Sequence, residues 1–597
     1  MIEFLKKIST KNIFIALFLA LFFTCFSKHL FLDVDYWLKT LKYPERVVVY
    51  IENKTSKNCK IEEILNTRAI NTGTSYRKQI EFNLYNDYQI YKFAIHSKNK
   101  DFFRLNLSPK NNKQLILKSL KINEEELILT PKNVQNLFSV ETKTKSDMHF
   151  VEIIAKKAPI EKNEINIKNY VLAFILFVFY FLCFLYLLPK FSNFKIKNYK
   201  KEAIIFIAFF MFYLLLNYKT CLNVDHFFHP NNNWRYYGWI SADEHIVIRN
   251  IVFGDSRRFH PFFFLPFYPF FEFLMFLTNN LYLTLCIMWC SFASLSVTFL
   301  YKTLNLIIPK LKIIKFLILL SFAFCLSQML MSGIFDLYII GGFYLSLIIY
   351  IVTKETISPD ETSNFTTLAL ISALIFGVTI PNIITVLLLV IPLFVYKKEY
   401  KNLFKFLLLT IILISFFILI KSLTDDFNSL QSIFFQNMQN YIGSCISLNL
   451  KNNFYNFFIE TLIKPIAYTP LSIKAAIIFW ALFLITLLIS LFKNQNKKLL
   501  FLNYSLICAL IYNFIANFFW FPQTGFIFSQ NFIIIPFVIL AISINALKGK
   551  FIERVIIVSL IIFFIFETMA NIKITTRQHR NAIEFNPQKI ILEHKRW

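Results

Sequence analysis

The residues with the most chemical potential in this chain are the adjacent acids and histidine of Ser241-Ala242-Asp243-Glu244-His245. They sit in a polar loop just after an apolar segment, and Asp255, Arg257, Arg258 and then His260-Pro261 follow. Carboxylates at the mouth of a membrane bundle are expensive to hold beside hydrocarbon, so they point to function by default. A carboxylate so placed can take the proton from a hydroxyl as it attacks. Arg257 and Arg258 can pair bidentately with a phosphate. The same acids would also read as a solvated rim pair partnering Arg249 or Arg257, and the residue types alone leave both readings open.

The histidines raise the question of a metal. His226 and His229 are three apart beside Asp225, but no glycine turn or second histidine pair completes a ligand set. A divalent cation, Mg or Mn, shared between Asp243, Glu244 and a substrate phosphate is the metal chemistry such carboxylates favour.

Composition says what must position these groups. Hydrophobic residues make up 56% of the 597, with 73 phenylalanines, and apolar runs recur from end to end between short Lys/Asn loops. That pattern predicts a polytopic α-helical membrane protein, because only internally satisfied backbone crosses lipid. The net charge of +27 does not imply nucleic acid, since the lysines cluster between apolar runs, where they set orientation. The nine cysteines include no CxxC pair, which argues against a disulfide framework or a structural zinc site.

Charge then orders the chain. Ile13–Phe26 follows Lys6, Lys7 and Lys11 and reads as an uncleaved anchor with a cytoplasmic N-terminus. Residues 30–168 form an extracytoplasmic domain between the first two transmembrane helices. Alternation in Val47–Ile51, Ile80–Leu84, Tyr88–Ile95 and Leu115–Ile122 predicts a β-sandwich there. Tyr170–Leu188 returns inward and Ala203–Leu216 leads out again to the loop 218–260. The prolines and Glu272 within Pro261–Leu277 favour an interfacial or re-entrant helix, with Leu281–Leu300 spanning. The remaining basic loops then fall inside and the count is about thirteen spans, a transmembrane domain over 169–570 ahead of a basic tail at 571–597. That tail would lie outside, the one misfit in the scheme.

Four places share the outer face in this scheme: the loop 221–260, the turn Ser332-Gly333-Ile334-Phe335-Asp336, Pro381-Asn382, and Phe521–Asn531. Trp234, Tyr236, Tyr237 and Trp239 in the first of them are of the types that gather at any membrane interface.

The order of these features resembles the GT-C superfamily of integral-membrane glycosyltransferases: a span, an outer loop bearing Asp-Glu, then His-Pro opening an aromatic interfacial helix. The resemblance implies that Asp243 or Glu244 is the catalytic base or helps to bind a metal, and that His260 belongs to the motif. Phe521–Phe532 is similar to a late outer-face motif of bacterial members, with Gln523 and Phe528 as departures from the usual Glu and Tyr. Ser529 and Gln530 are then the polar contacts left, and His245, Arg257 and Arg258 the substrate or phosphate contacts. Phe103–Pro109 and Leu115–Leu120 resemble a β-sandwich segment of related enzymes, although Arg104 reads more simply as a structural ion-pair partner.

The resemblance implies transfer of a sugar from a polyprenyl-phosphate donor to a glycan, lipid or protein acceptor, at the outer face of a bacterial cytoplasmic membrane and among its lipids. The rival readings are a transporter or flippase of lipid-linked glycans and a glycan polymerase or ligase. Ten glycines and no visible repeat count against the first. An arginine-free 421–472 loop counts against the second.

Overall fold

A computed structural model describes residues 10–25, the strands between 45 and 157, and 167–192, 199–223, 265–278, 280–358, 362–378, 382–424, 470–492, 496–520, 532–547 and 549–584. The chain divides into two compact units, one holding the strands and the other the helices.

The strand unit contains ten strands in two five-stranded antiparallel sheets, ordered β3-β4-β1-β6-β9 and β2-β5-β10-β7-β8. They are β1 (Glu45–Asn53), β2 (Lys60–Leu65), β3 (Arg68–Thr74), β4 (Arg77–Leu84), β5 (Gln89–His96), β6 (Phe103–Pro109), β7 (Leu115–Ile122), β8 (Glu125–Leu127), β9 (Phe138–Thr142) and β10 (Met148–Lys157). Each of the four alternating segments of the sequence lies largely in one strand. Period-two alternation is visible in burial: Tyr91, Phe93 and Ile95 on β5 and Val151, Ile153 and Ala155 on β10 are inside. On the opposite face Glu152 stands between lysines of both neighbouring strands, 2.6 Å from Lys92 and 3.9 Å from Lys121. In the other sheet the register sets Arg104 opposite Glu52 on one side and Glu141 on the other.

The helical unit runs α1 (Thr10–Cys25), α2 (Ile167–Ser192), α3 (Lys200–Asn223), α4 (Tyr268–Thr278), α5 (Leu281–Ile307), α6 (Lys312–Ala323), α7 (Leu326–Met331), α8 (Tyr338–Ile357), α9 (Phe365–Val378), α10 (Asn382–Tyr396), α11 (Tyr400–Thr424), α12 (Pro470–Phe492), α13 (Lys497–Trp520), α14 (Ile534–Ala546) and α15 (Lys550–Glu584). Seven of the described helices are long and apolar enough to cross a bilayer, and six shorter apolar ones of 10–17 residues accompany them. This is the architecture of a multi-pass helical membrane protein. One of these shorter stretches lies within the 26-residue α2, and the seven do not establish thirteen spans. α4, with 11 residues, is about 16 Å long, roughly half the thickness of the hydrocarbon core.

Outward faces are apolar where lipid would lie. Ile204, Ile207, Met211 and Leu215 are exposed on α3, and Phe404, Leu408 and Ile411 on α11. α14 is the reverse case: Ile534 through Ile544 are all buried, the signature of an all-round apolar helix enclosed by others. At one end of this unit the basic groups collect. Lys302 lies 4.3 Å from the Tyr350 ring centroid, and Lys498 Nζ donates to Ile357 O at the end of α8. Lys397 pairs with Glu399, whose carboxylate accepts from Ser363 N ahead of α9.

Candidate functional site

At the other end, the chain breaks helix geometry inside the protein. α6 stops at Ala323, Cys325 adopts an extended conformation (φ −63°, ψ 145°), and the six-residue α7 follows before the turn Ser332–Leu337 opens α8. Every residue from Cys325 to Gly342 is buried. Irregular backbone at such depth survives only if its freed groups find partners in the protein. They do. Tyr213 Oη of α3 donates to Ala323 O at 2.8 Å, and Asn571 Nδ2 of α15 donates to Phe324 O at 2.8 Å. Ser332 Oγ donates to Met329 O and accepts from Asn217 Nδ2, both at 2.8 Å. Cys290 Sγ of α5 reaches Ser332 O and Cys221 Sγ of α3 reaches Gly333 O, each at 3.4 Å. Trp289 Nε1 donates to Asp336 O at 2.8 Å, while Leu337 N donates to Asp336 Oδ1 at 2.7 Å.

Gly333 is required by packing. A Cβ there would fall 2.8 Å from Asn217 Cβ and closer still to Asn217 Cγ and Oδ1. The turn and the last turns of α3 are thus locked face to face, and α3 is the helix that leads into the acid-bearing loop.

The return of that loop is anchored nearby. Its described end enters a single 3₁₀ turn at Leu265–Phe267 and then α4. The Phe267 ring packs edge-on against Phe292 of α5 at 4.7 Å and lies 6.1 Å from Tyr344 of α8. The end of α3 is thus bonded to the turn at Ser332 and Gly333, which Cys290 of α5 also reaches, and Phe267 packs on Phe292 two residues further along α5. Of the residues singled out from sequence, Asp243, Glu244, His245, Arg257, Arg258 and His260 lie outside the described residues, as do Gln523, Ser529 and Gln530. So do the carboxylates that would hold a divalent cation. Among the described residues no three His, Cys, Asp or Glu side chains come together as a metal site.

Of the other outer-face places, Asp336 is buried at 2% exposure, beside the root of the acid loop. Asn382 opens α10, and one turn on, Thr385 Oγ1 accepts from Asn513 Nδ2 at 2.9 Å. Asn513 lies on α13, the helix that leads to 521–531, so the third and fourth places also meet through their supporting helices. Glu272, the acid of α4, is buried at 2% exposure.

The described residues include one group that the sequence reading passed over. Glu567, in α15, is fully buried. Burial along this helix marks a single stripe, Ile556, Leu560, Phe563, Glu567, Asn571 and Thr575, at three- and four-residue spacing. That spacing is readable from the sequence, as is an acid within an apolar run.

No protein-family model matches the chain. No curated protein matches it. Among solved structures it is similar to the arabinosyltransferase EmbB from Mycobacterium smegmatis, with a TM-score of 0.34 and 9% identity over 90% of this chain and 54% of that one. The chain therefore spans about half the length of that protein. Likeness at this level transfers neither residues nor activity.

Proposed function

We propose that this protein is a membrane glycosyltransferase of GT-C type, taking its sugar from a polyprenyl-phosphate donor at the outer face of a bacterial cytoplasmic membrane. The observation that supports the reading is that α3, which leads into the acid-bearing loop, is bonded to the turn 332–337, and that Phe267, which follows the loop, packs on α5 close to Cys290, which also reaches that turn. A general base must be held within hydrogen-bond reach of the proton it takes, and a loop does this only from a fixed root. The order of motifs in the sequence supplies the enzyme class, and apolar walls with a polar end suit a donor with a lipid tail. In this reading Asp243 or Glu244 takes the proton from the acceptor hydroxyl of a glycan, lipid or protein. Arg257 or Arg258 holds the departing phosphate, with His245, His260, Gln523, Ser529 and Gln530 as further substrate contacts. The strand unit at 30–168 is then an extracytoplasmic β-sandwich.

The test is Asp243→Asn and Glu244→Gln, each scored for membrane insertion and for sugar transfer in a strain lacking the native gene. Loss of a general base lowers the rate by about 10²–10⁴-fold, whereas loss of an exposed ion pair costs at most about 1 kcal/mol. Asp243→Asn is expected to be the more severe, and normal transfer by both variants would remove the acid pair from the mechanism.

One observation favours a second reading. A helix broken within the membrane domain and a buried intramembrane acid are features of transporters. Movement of a lipid-linked glycan across reconstituted vesicles, without transfer of its sugar, would select that reading.

A further inference from the structure

Glu567 is a fully buried ionisable group that the proposed chemistry does not use. Neither of its carboxylate oxygens has a hydrogen-bond partner among the described residues, and the same holds for Asn571 Oδ1 and Thr575 Oγ1. These three residues follow one another at four-residue spacing on the buried stripe of α15, so their oxygens share a face. Asn571 gives one amide N–H to Phe324 O, and its oxygen is the atom left without a partner among the described residues. The face is thus rich in acceptors.

A second observation points the same way. The stripe lies against the break between α6 and α7: Asn571 binds Phe324 O, and the Phe564 and Phe324 rings meet edge-on at 5.7 Å. The break is where α6 ends, and the C-terminal end of a helix carries partial negative charge. Carboxylate, amide oxygen, hydroxyl and a negative helix end together suit a small cation, and half-helix ends with loosened carbonyls serve sodium and protons in this way elsewhere. Glu567 is 13 residues beyond Arg554, about 20 Å along the helix, and six residues, about 9 Å, before the exposed Lys573. An unpaired charge buried there is costly.

We propose that Glu567, Asn571 and Thr575, with the α6–α7 break, bind a monovalent cation, either sodium or a proton, inside the helical unit. The titratable groups at or beside the break are Cys325 and Tyr213 of α3, whose hydroxyl is bonded to Ala323 O, and the next charged residue along α15 is the exposed Lys573. The proposal is independent of the glycosyltransferase reading, because a structural or coupling cation would serve an enzyme or a transporter alike.

The test is thermal unfolding of the purified full-length protein in detergent, read by tryptophan fluorescence. Sodium chloride is titrated against N-methylglucamine chloride at constant ionic strength, and the series is repeated across neutral pH. A ligand that binds only the folded state raises Tm in a saturable way. Expected for sodium is a saturable rise with sodium alone, abolished in Glu567→Gln and moved to higher concentration in Thr575→Val. Expected for a proton is no sodium effect, but a pH dependence of Tm that Glu567→Gln removes. Should Glu567→Gln not fold, Thr575→Val carries the sodium arm alone. Wild type that responds to neither cation, or variants that respond as wild type does, would overturn the site. Sugar-transfer activity plays no part in this readout, so its failure leaves the enzymatic reading standing, and the reverse holds too.

Discussion

Asn217 occupies the space that a Cβ at position 333 would need, while its Nδ2 donates to Ser332 Oγ at 2.8 Å. One side chain of α3 therefore both requires a glycine in the turn and bonds the residue before it. The turn can sit at no greater distance without losing the hydrogen bond, and at no shorter one without a clash.

Gly333→Ala is accordingly expected to destabilise the helical unit by about 1–3 kcal/mol, the usual cost of forcing a methyl into a packed interior. Asn217 is fully buried and cannot swing clear. Thermal unfolding of Gly333→Ala, Asn217→Ala and the double variant closes a cycle. Contact predicts that the double variant is less damaged than the sum of the singles, by about 0.5–3 kcal/mol. Strict additivity would mean that the two residues do not touch.

Trp289→Phe tests the other side of the turn. It keeps the ring against Phe335, at 5.8 Å, but removes the Nε1 donor from buried Asp336 O. An unsatisfied buried acceptor costs about 1–3 kcal/mol. If the turn also steadies the acid-bearing loop, sugar transfer should fall by more than folded protein does. Equal losses in the two measurements would make Trp289 a purely structural residue.

Much of this architecture is legible in sequence wherever a single periodicity decides the outcome. The alternation of Tyr91, Phe93 and Ile95 marks β5, because a strand half-buried on one face admits little else. The break at Phe324-Cys325 is not legible in the same way. No proline or glycine stands there, and the run from Ile313 to Met331 is apolar throughout apart from Lys315, Ser321, Ser327 and Gln328. What allows the break is the set of distant partners, Tyr213 and Asn571, that satisfy its carbonyls. A window moved along the chain does not see them. Glu567 was readable, as an acid on the apolar stripe of α15, but attention to loop acids passes it by. The roles of Asp243 and Glu244 come from motif order, and only the helices on either side of their loop are in the described fold.

The strand unit should hold together alone. Residues 45–160 expressed as a soluble fragment are expected to give a β-rich circular dichroism spectrum, because the inward residues of β5 and β10 are buried without lipid. Phe93→Ala, at the buried centre of β5, should then cost about 3–5 kcal/mol in denaturant unfolding, whereas Lys92→Ala should cost at most about 1 kcal/mol. A helical or unfolded fragment would argue against an independent domain.

Orientation is the prediction on which the location of the chemistry depends. The basic groups Lys302, Lys397 and Lys498 collect at one end of the helical unit, and positive loops are retained on the cytoplasmic side. α3 and α8 run so that Asn217 and Asp336 lie away from that end, and α3 leads into residues 224–260. Single cysteines placed in 218–260 and in the strand unit should therefore react with an impermeant maleimide on intact cells. Cysteines replacing Lys310, between α5 and α6, or Lys312, the first residue of α6, should react only after the membrane is opened. The native cysteines near the break, Cys221, Cys286, Cys290 and Cys325, are buried and should stay silent in both conditions. Labelling of position 310 from outside would invert α5, put the acid pair in the cytoplasm, and exclude an outer-face donor whatever the activity of Asp243 and Glu244.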